Sequence, residues 1–282
     1  MKIYISVDME GISGINTKEH VLTDARLYPE ARRMLTEDVN AAIRGAFNGG
    51  ADEVIVWDAH GGGNHLLAEQ VDERALLMEG APHFPRIPFL NGSDGLFLMG
   101  YHSKAGTERG CLEHTMSSAA WHKYIVNGTP IGEIAVDGDI AGWEGVPVVL
   151  VSGDDKLCDE AKETFGEQVE RVCVKQGIGR QSALCLTPAA GRKRIEKHAE
   201  RAVRRLVEGE KFPLFSMGSP VTVRTVYKFT PDADAAMTYD ARRIDGYTVE
   251  RDWPRLCDVY GGLWSEHGEK QRIHVGKDEF ED

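Results

Sequence analysis

The chain alternates between short, almost wholly apolar runs and longer stretches with helical periodicity. Residues 2–7, 53–57, 95–100 and 146–151 are rich in β-branched, aromatic and leucine side chains and are bounded by polar or glycine-rich turns. Such runs predict strands covered on both faces. Residues 29–48 predict a helix: Met34, Val39, Ile43 and Phe47 fall on one side, Arg33, Glu37 and Arg44 on the other, and Gly49-Gly50 stops it. Residues 157–165 read as a helix and 169–174 as a strand. Residues 188–209 predict a long amphipathic helix with Ile195, Ala199, Ala202, Val203 and Leu206 inward. Its Arg and Lys residues alternate with Glu, which marks a solvated face and not a nucleic-acid patch. Buried strands separated by helices predict an α/β fold with a mostly parallel central sheet flanked by helices.

Smaller features fill the rest. A proline-rich connection, 81–88, precedes the third buried strand. Residues 121–126 read as a strand, followed by the hairpin dipeptide Asn127-Gly128. The segment after Glu133 reads as a helix closing near Gly145. From Pro213 the character changes. Residues 221–229 alternate as a strand, 231–240 suggest a short helix, 247–250 a strand, and 253–264 a helix carrying Cys257 and Tyr260. This predicts a smaller C-terminal α+β lobe, with a metal-binding catalytic domain over 1–212 and the lobe over 213–282. The acidic end, 277–282, is expected to fray.

Composition narrows the class. The 282 residues are 41% apolar and 28% charged, ordinary for a globular protein. Thirty-three basic against 45 acidic side chains leave a formal charge of −12, which disfavours nucleic acid and anionic membrane as partners. No apolar run reaches membrane-spanning length, and the N-terminus enters a strand without a leader pattern. The five cysteines form no CxxC pair, so they are expected to be reduced thiols in a cytoplasmic protein.

The chemistry collects at strand ends. The first strand runs into Ser6-Val7-Asp8-Met9-Glu10-Gly11, and extended backbone would put Asp8 and Glu10 on one face. Two carboxylates side by side repel, and a divalent cation between them is the economical remedy. The second strand ends in Asp58-Ala59-His60-Gly61-Gly62-Gly63, the third in Tyr101-His102-Ser103-Lys104. The glycine run lacks the GKS or GKT ending of a phosphate loop. The ordinary alternative for His60 is a hydrogen-bonded loop histidine. Three buried strands ending in Asp/Glu, Asp/His and His argue more strongly together, because α/β proteins place ligands at the carboxyl ends of strands. Carboxylates with imidazoles suit zinc, with manganese or cobalt as alternatives. His114, in Glu113-His114-Thr115-Met116-Ser117-Ser118, has no evident packing role, and the hydroxyl cluster behind it is expected to set its tautomer. Ser117 or Ser118 as nucleophile is the rival, but neither sits in a GxSxG elbow. Glu133 is flanked by apolar residues, either half-buried and paired or on an edge.

Taken in order, SVDMEGISG, DAHG, GYHSKAG, EHTMSS, a GE followed by AGWEGVPVVLVSGDD, and then VKQGIGRQSALCLTP resemble the zinc-dependent D-aminopeptidases of peptidase family M55, of the dipeptide-transport-operon type. The likeness is close over about 1–210 and looser beyond. It implies two adjacent metal ions, with Asp8 bridging them, Glu10 and His60 completing one site, and His102 and Glu133 the other. His114 matches the histidine treated as catalytic in the family. The implied function is hydrolysis of N-terminal D-residues from short peptides or amides, in a homo-oligomer that can close into a large ring. Two such cations acidify water and polarise a carbonyl. At Asp137 the family often has Asn, so that carboxylate is a candidate contact for the substrate ammonium. Competing readings keep the metals but hydrolyse phosphoesters, or keep them only to stabilise an assembly.

Overall fold

In the computed structural model, described for residues 1–80 and 85–266, the chain forms two sheets. In order, the elements are β1 (Lys2–Val7), α1 (Lys18–Val21), α2 (Tyr28–Gly49), β2 (Glu53–Asp58), β3 (Leu76–Met78), β4 (Gly95–Met99), β5 (Trp121–Val126), β6 (Thr129–Pro130) and α3 (Glu133–Trp143). Then follow β7 (Val148–Asp154), α4 (Asp155–Phe165), β8 (Glu170–Gly179), β9 (Ser182–Cys185), α5 (Pro188–Val207), β10 (Val221–Tyr227), α6 (Thr230–Ala235), β11 (Arg242–Arg243) and β12 (Thr248–Trp253). Short 3-10 turns occupy Ala68–Gln70 and Leu256–Tyr260.

The main sheet has the order β3-β2-β1-β4-β7-β8-β9. All its pairings are parallel except the last, where β9 returns antiparallel to β8. The predicted parallel sheet is therefore present. Its side chains divide by alternation: Ile3, Ile5 and Val7 point to the layer that holds Val39 and Ile43 of α2 and Ile195 and Val203 of α5. Tyr4, Leu96 and Leu98 point the other way, toward Ile134 and Ile140 of α3 and Tyr124 and Val223 of the second sheet.

That second sheet, β11-β12-β10-β5-β6, is antiparallel. It takes two strands from before residue 212 and three from after it. The β5–β6 turn falls on Asn127 and Gly128, with φ of +50° and +81°, the conformation that dipeptide favours. Two sequence expectations change, and unpredicted strands are added. The 253–264 segment is not one helix: β12 runs to Trp253, Pro254 follows, a 3-10 turn forms over Leu256–Tyr260, and helical backbone starts only at Trp264. The strand expected at 169–174 runs on to Gly179 and hairpins into β9, and β3 pairs beside β2. The 277–282 end lies outside the described residues.

α5 is held on the sheet by charge as well as by its apolar stripe. Buried Glu170, at the start of β8, accepts from Arg201 Nε at 2.8 Å, Arg205 Nη1 at 2.7 Å and the His198 ring at 3.0 Å. Burial pushes the Glu170 carboxyl up, but these partners outweigh it and bring it down to about 2. A depressed carboxyl contributes stability above its unfolded value and loses it as pH falls through the folded one. Glu170→Gln is expected to cost on the order of 1–2 kcal/mol at pH 7, discounted because the Arg201 side chain that pairs with it is largely exposed. The gap from wild type should close between about pH 4.3 and about pH 2. Urea unfolding midpoints across that range check it.

Candidate metal centre

Strand order puts the candidate ligands together. From β1 the chain crosses to β2 and β3 on one side, then returns to β4 on the other. The junction of β1 and β4 is thus a switch point, where the two crossovers leave a crevice beyond the strand ends. Asp8 and Glu10 follow β1, His60 follows β2, and His102 follows β4. The two loops touch: Asp8 N donates to Met99 O and Gly11 N to Gly100 O, both at 2.7 Å. Glycine is required on each side of that contact. A Cβ at Gly11 would lie 1.9 Å from Tyr101 O, and one at Gly100, whose φ is +72°, would lie 2.1 Å from Asp8 O.

Asp8 sits at the centre. Its Oδ1 lies 2.9 Å from His60 Nδ1 and its Oδ2 3.3 Å from His102 Nε2. Glu10 Oε2 is 3.1 Å from His60 Nδ1. Glu133, the first residue of α3, has Oε1 at 3.3 Å from His102 Nε2 and 3.7 Å from His114 Nε2. Two groups result, each with ligand atoms within 4.8 Å of one another: Asp8, Glu10 and His60, and His102, His114 and Glu133. The sequence separated His114 from the candidate ligands; here its ring stacks on His102, centroids 3.8 Å apart.

Each imidazole has one nitrogen committed to backbone. His102 Nδ1 meets Ser103 O at 3.1 Å, His114 Nδ1 meets Leu112 O at 2.9 Å, and His60 Nε2 meets Val21 O at 3.4 Å. With those nitrogens as donors, the others carry lone pairs aimed at the carboxylates. The tautomer of His114 is thus set by a carbonyl and not by the hydroxyls behind it. The segment leading there is strained: Arg109, Leu112 and Met116 all have φ near +60°. Met116 N then donates to Glu133 Oε1 at 2.8 Å. Ser118 borders the cavity, but no histidine bonds to it among the described residues.

The electrostatics call for positive charge. Burial alone would push the Asp8 carboxyl up, but His102 and His60 hold it well below the usual range. Burial likewise opposes charge on His60 and His102, yet Glu10 with Asp8, and Glu133 with Asp8, raise the two imidazoles well above their ordinary value. Glu133 is brought down to about 2 by His102 and then His114, against burial. Glu10 Oε2 and His102 Nε2 are buried with no hydrogen-bond partner. Orphaned oxygens and nitrogens converging in pairs are a donor set for borderline divalent cations, so the residues fit a pair of such ions.

The family model described as D-aminopeptidase, peptidase M55, matches residues 1–264. The chain belongs to peptidase family M55. A D-aminopeptidase of Bacillus subtilis (strain 168) is 40% identical over 202 residues, 71% of this chain and 73% of the relative. A solved structure, described as the Zn-dependent D-aminopeptidase DppA from Bacillus subtilis, a self-compartmentalizing protease, superposes with a TM-score of 0.86 at 29% identity. It covers 98% of this chain and 100% of that one.

Three residues of this M55 site escaped sequence reasoning in whole or part. Arg86 comes from the proline-rich connection and lines the cavity of about 290 Å³ above Asp8, Glu10, His60, His114 and Glu133. Asp137 does not line it. Fully buried one turn after Glu133, it pairs with Arg86 and accepts from Tyr101 Oη at 2.6 Å. Its oxygens are taken, so its surroundings offer a substrate ammonium no contact. Lys175, in the VKQGIG stretch, is buried, and its ammonium donates to the carbonyls of Glu10, Ile12 and Ile15. It staples the loop that carries Glu10. Lys175→Met is expected to weaken metal binding about 10- to 100-fold, as loss of a ligand-orienting contact does. Competition against a chromophoric chelator measures this, and unchanged affinity would detach Lys175 from the site.

Proposed function

We propose that this chain is a di-zinc aminopeptidase releasing N-terminal D-residues from short peptides, with manganese or cobalt able to replace zinc. The observation that carries it is the split of Asp8, one oxygen toward His60 and the other toward His102, which suits a ligand shared by two ions. Glu10 and His60 complete one site, His102 and Glu133 the other. The zinc dependence of the solved relative supports the metal. Two divalent cations there supply Lewis acidity to a peptide carbonyl and acidify a water.

The chain's own residues do the rest. His114 Nδ1 is held by Leu112 O, leaving Nε2 at the cavity wall, able to accept a proton and pass it to the departing amine. Asp8, Glu10 and Glu133 balance most of the charge of two dications. The walls from Val21, Leu22 and Met116 keep the cavity small, which suits short peptides. The self-compartmentalizing relative supports a closed homo-oligomeric ring. Five free thiols support a cytoplasmic setting, and no helix among the described residues is long and apolar enough to cross a membrane. All the proposed ligands and His114 lie within 1–212, the part we read as catalytic; the described part of the smaller lobe read over 213–282 shares its sheet with β5 and β6.

Purified protein should contain close to two transition-metal ions per chain, lose activity with a chelator, and cleave a D-alanyl peptide in preference to its L-isomer and to a nitrophenyl phosphate. Full activity without transition metal would refute the reading. Asp8→Ala should empty both sites. His114→Ala should keep both ions while turnover falls about 10²- to 10⁴-fold; loss of one ion would instead make His114 a ligand.

A further inference from the structure

Arg86 is the one Arg or Lys side chain among the described residues lining the cavity. Its guanidinium is fixed from behind. Nε donates to Asp137 Oδ1, and Nη2 lies 3.3 Å from Asp137 Oδ2 and 3.5 Å from Glu133 Oε2. Asp137 is fixed in turn by Tyr101 Oη at 2.6 Å, whose oxygen shares a hydrogen bond with Ser6 Oγ at 2.7 Å. The backbone N of Arg86 donates to Tyr260 O at 3.2 Å, and its guanidinium carbon stands 5.8 Å from the Tyr260 ring centroid. Nη1 has no hydrogen-bond partner among the described residues and is not among the buried unpartnered atoms. This end of the fork is therefore the one the cavity reaches.

Glu133 fixes where that end lies relative to the chemistry. Its Oε1 is 3.7 Å from His114 Nε2, and its Oε2 is 3.5 Å from Arg86 Nη2. The proton-handling imidazole and the guanidinium flank opposite oxygens of one carboxylate. A leaving amine that takes its proton from His114 therefore has a preoriented guanidinium about one amino acid away. We propose that Arg86 is a specificity-determining residue that takes the terminal carboxylate of the leaving amino acid, with Asp137 and Tyr101 as its positioning residues. The proposal rests on the aminopeptidase reading. Arg suits it because a planar fork keeps its geometry when one edge is already committed to Asp137. In a chain of formal charge −12, a fixed cation at the cavity is also what makes an anionic substrate end acceptable there.

The test compares a D-alanyl dipeptide bearing a free carboxylate with its C-terminal amide, on metal-loaded protein. Wild type should favour the acid by about 10- to 100-fold in kcat/KM, the range of a charge-assisted hydrogen bond. In Arg86→Gln the preference should collapse to about unity, mostly through KM for the acid. Because that variant strands a buried carboxylate, Arg86→Gln/Asp137→Asn is measured beside it, with metal content determined for both. Either variant retaining two ions and losing the preference supports the proposal. An active wild type indifferent to acid or amide, or variants that slow both substrates equally and keep the ratio, overturns the role of Arg86 alone. Failure of metal-loaded wild type to cleave either substrate overturns the aminopeptidase reading and this role with it.

Discussion

Three buried carboxylates, Asp8, Glu10 and Glu133, share one crevice with too few donors to satisfy them, and the arrangement around them answers that repulsion. Backbone N–H groups take part of the charge: Met9 N meets Asp8 Oδ1, and Met116 N meets Glu133 Oε1, each at 2.8 Å. Lys175 holds the Glu10 loop from below without neutralising its side chain. What remains lies between oxygens and imidazole nitrogens. Protons on His60 and His102 are one answer, and divalent cations are a better one, because one ion replaces two protons and satisfies several lone pairs at once. Metal loading and ordering of the crevice are thus expected to be linked, most strongly through Asp8.

Much of this was legible in the sequence because the candidate ligands stand at the ends of apolar runs. A strand that alternates β-branched residues at Ile3, Ile5 and Val7 and then shows Asp-x-Glu announces both its burial and the place where burial stops. The same contrast exposed His60 and His102. Sequence spacing also placed Glu133 and Asp137 one helical turn apart, and they are. What periodicity could not give was direction in three dimensions. Asp137 points beneath Arg86, and no pattern in residues 81–88 shows that an arginine from that connection will cross to α3. Lys175 sits on a strand whose far half alternates irregularly through Gly177 and Gly179, so its ammonium gave no sign of being buried. The second sheet was hidden for a related reason. β5 and β10 are separated by almost a hundred residues, and antiparallel pairing at that distance leaves no local trace.

The Arg86–Asp137 pair illustrates a choice between stability and geometry. Burying a guanidinium and a carboxylate costs several kcal/mol per ion before their attraction is counted, and an apolar pair of similar volume is often as stable. An apolar pair would nevertheless leave Glu133 Oε2 without its Arg86 donor and the cavity without a guanidinium. The pair instead forms the middle of a continuous series: Ser6, Tyr101, Asp137, Arg86, Glu133. Its first member lies in β1 and its last is a metal-ligand candidate on α3. Each link is a charged or hydroxyl group largely shielded so that water competes little. The orientation of Glu133 is in this way tied to the interior of the same strand that delivers Asp8. The two proposed metal sites then keep their spacing through hydrogen bonds across the layer between sheet and helix, in addition to the shared carboxylate at the surface of the crevice.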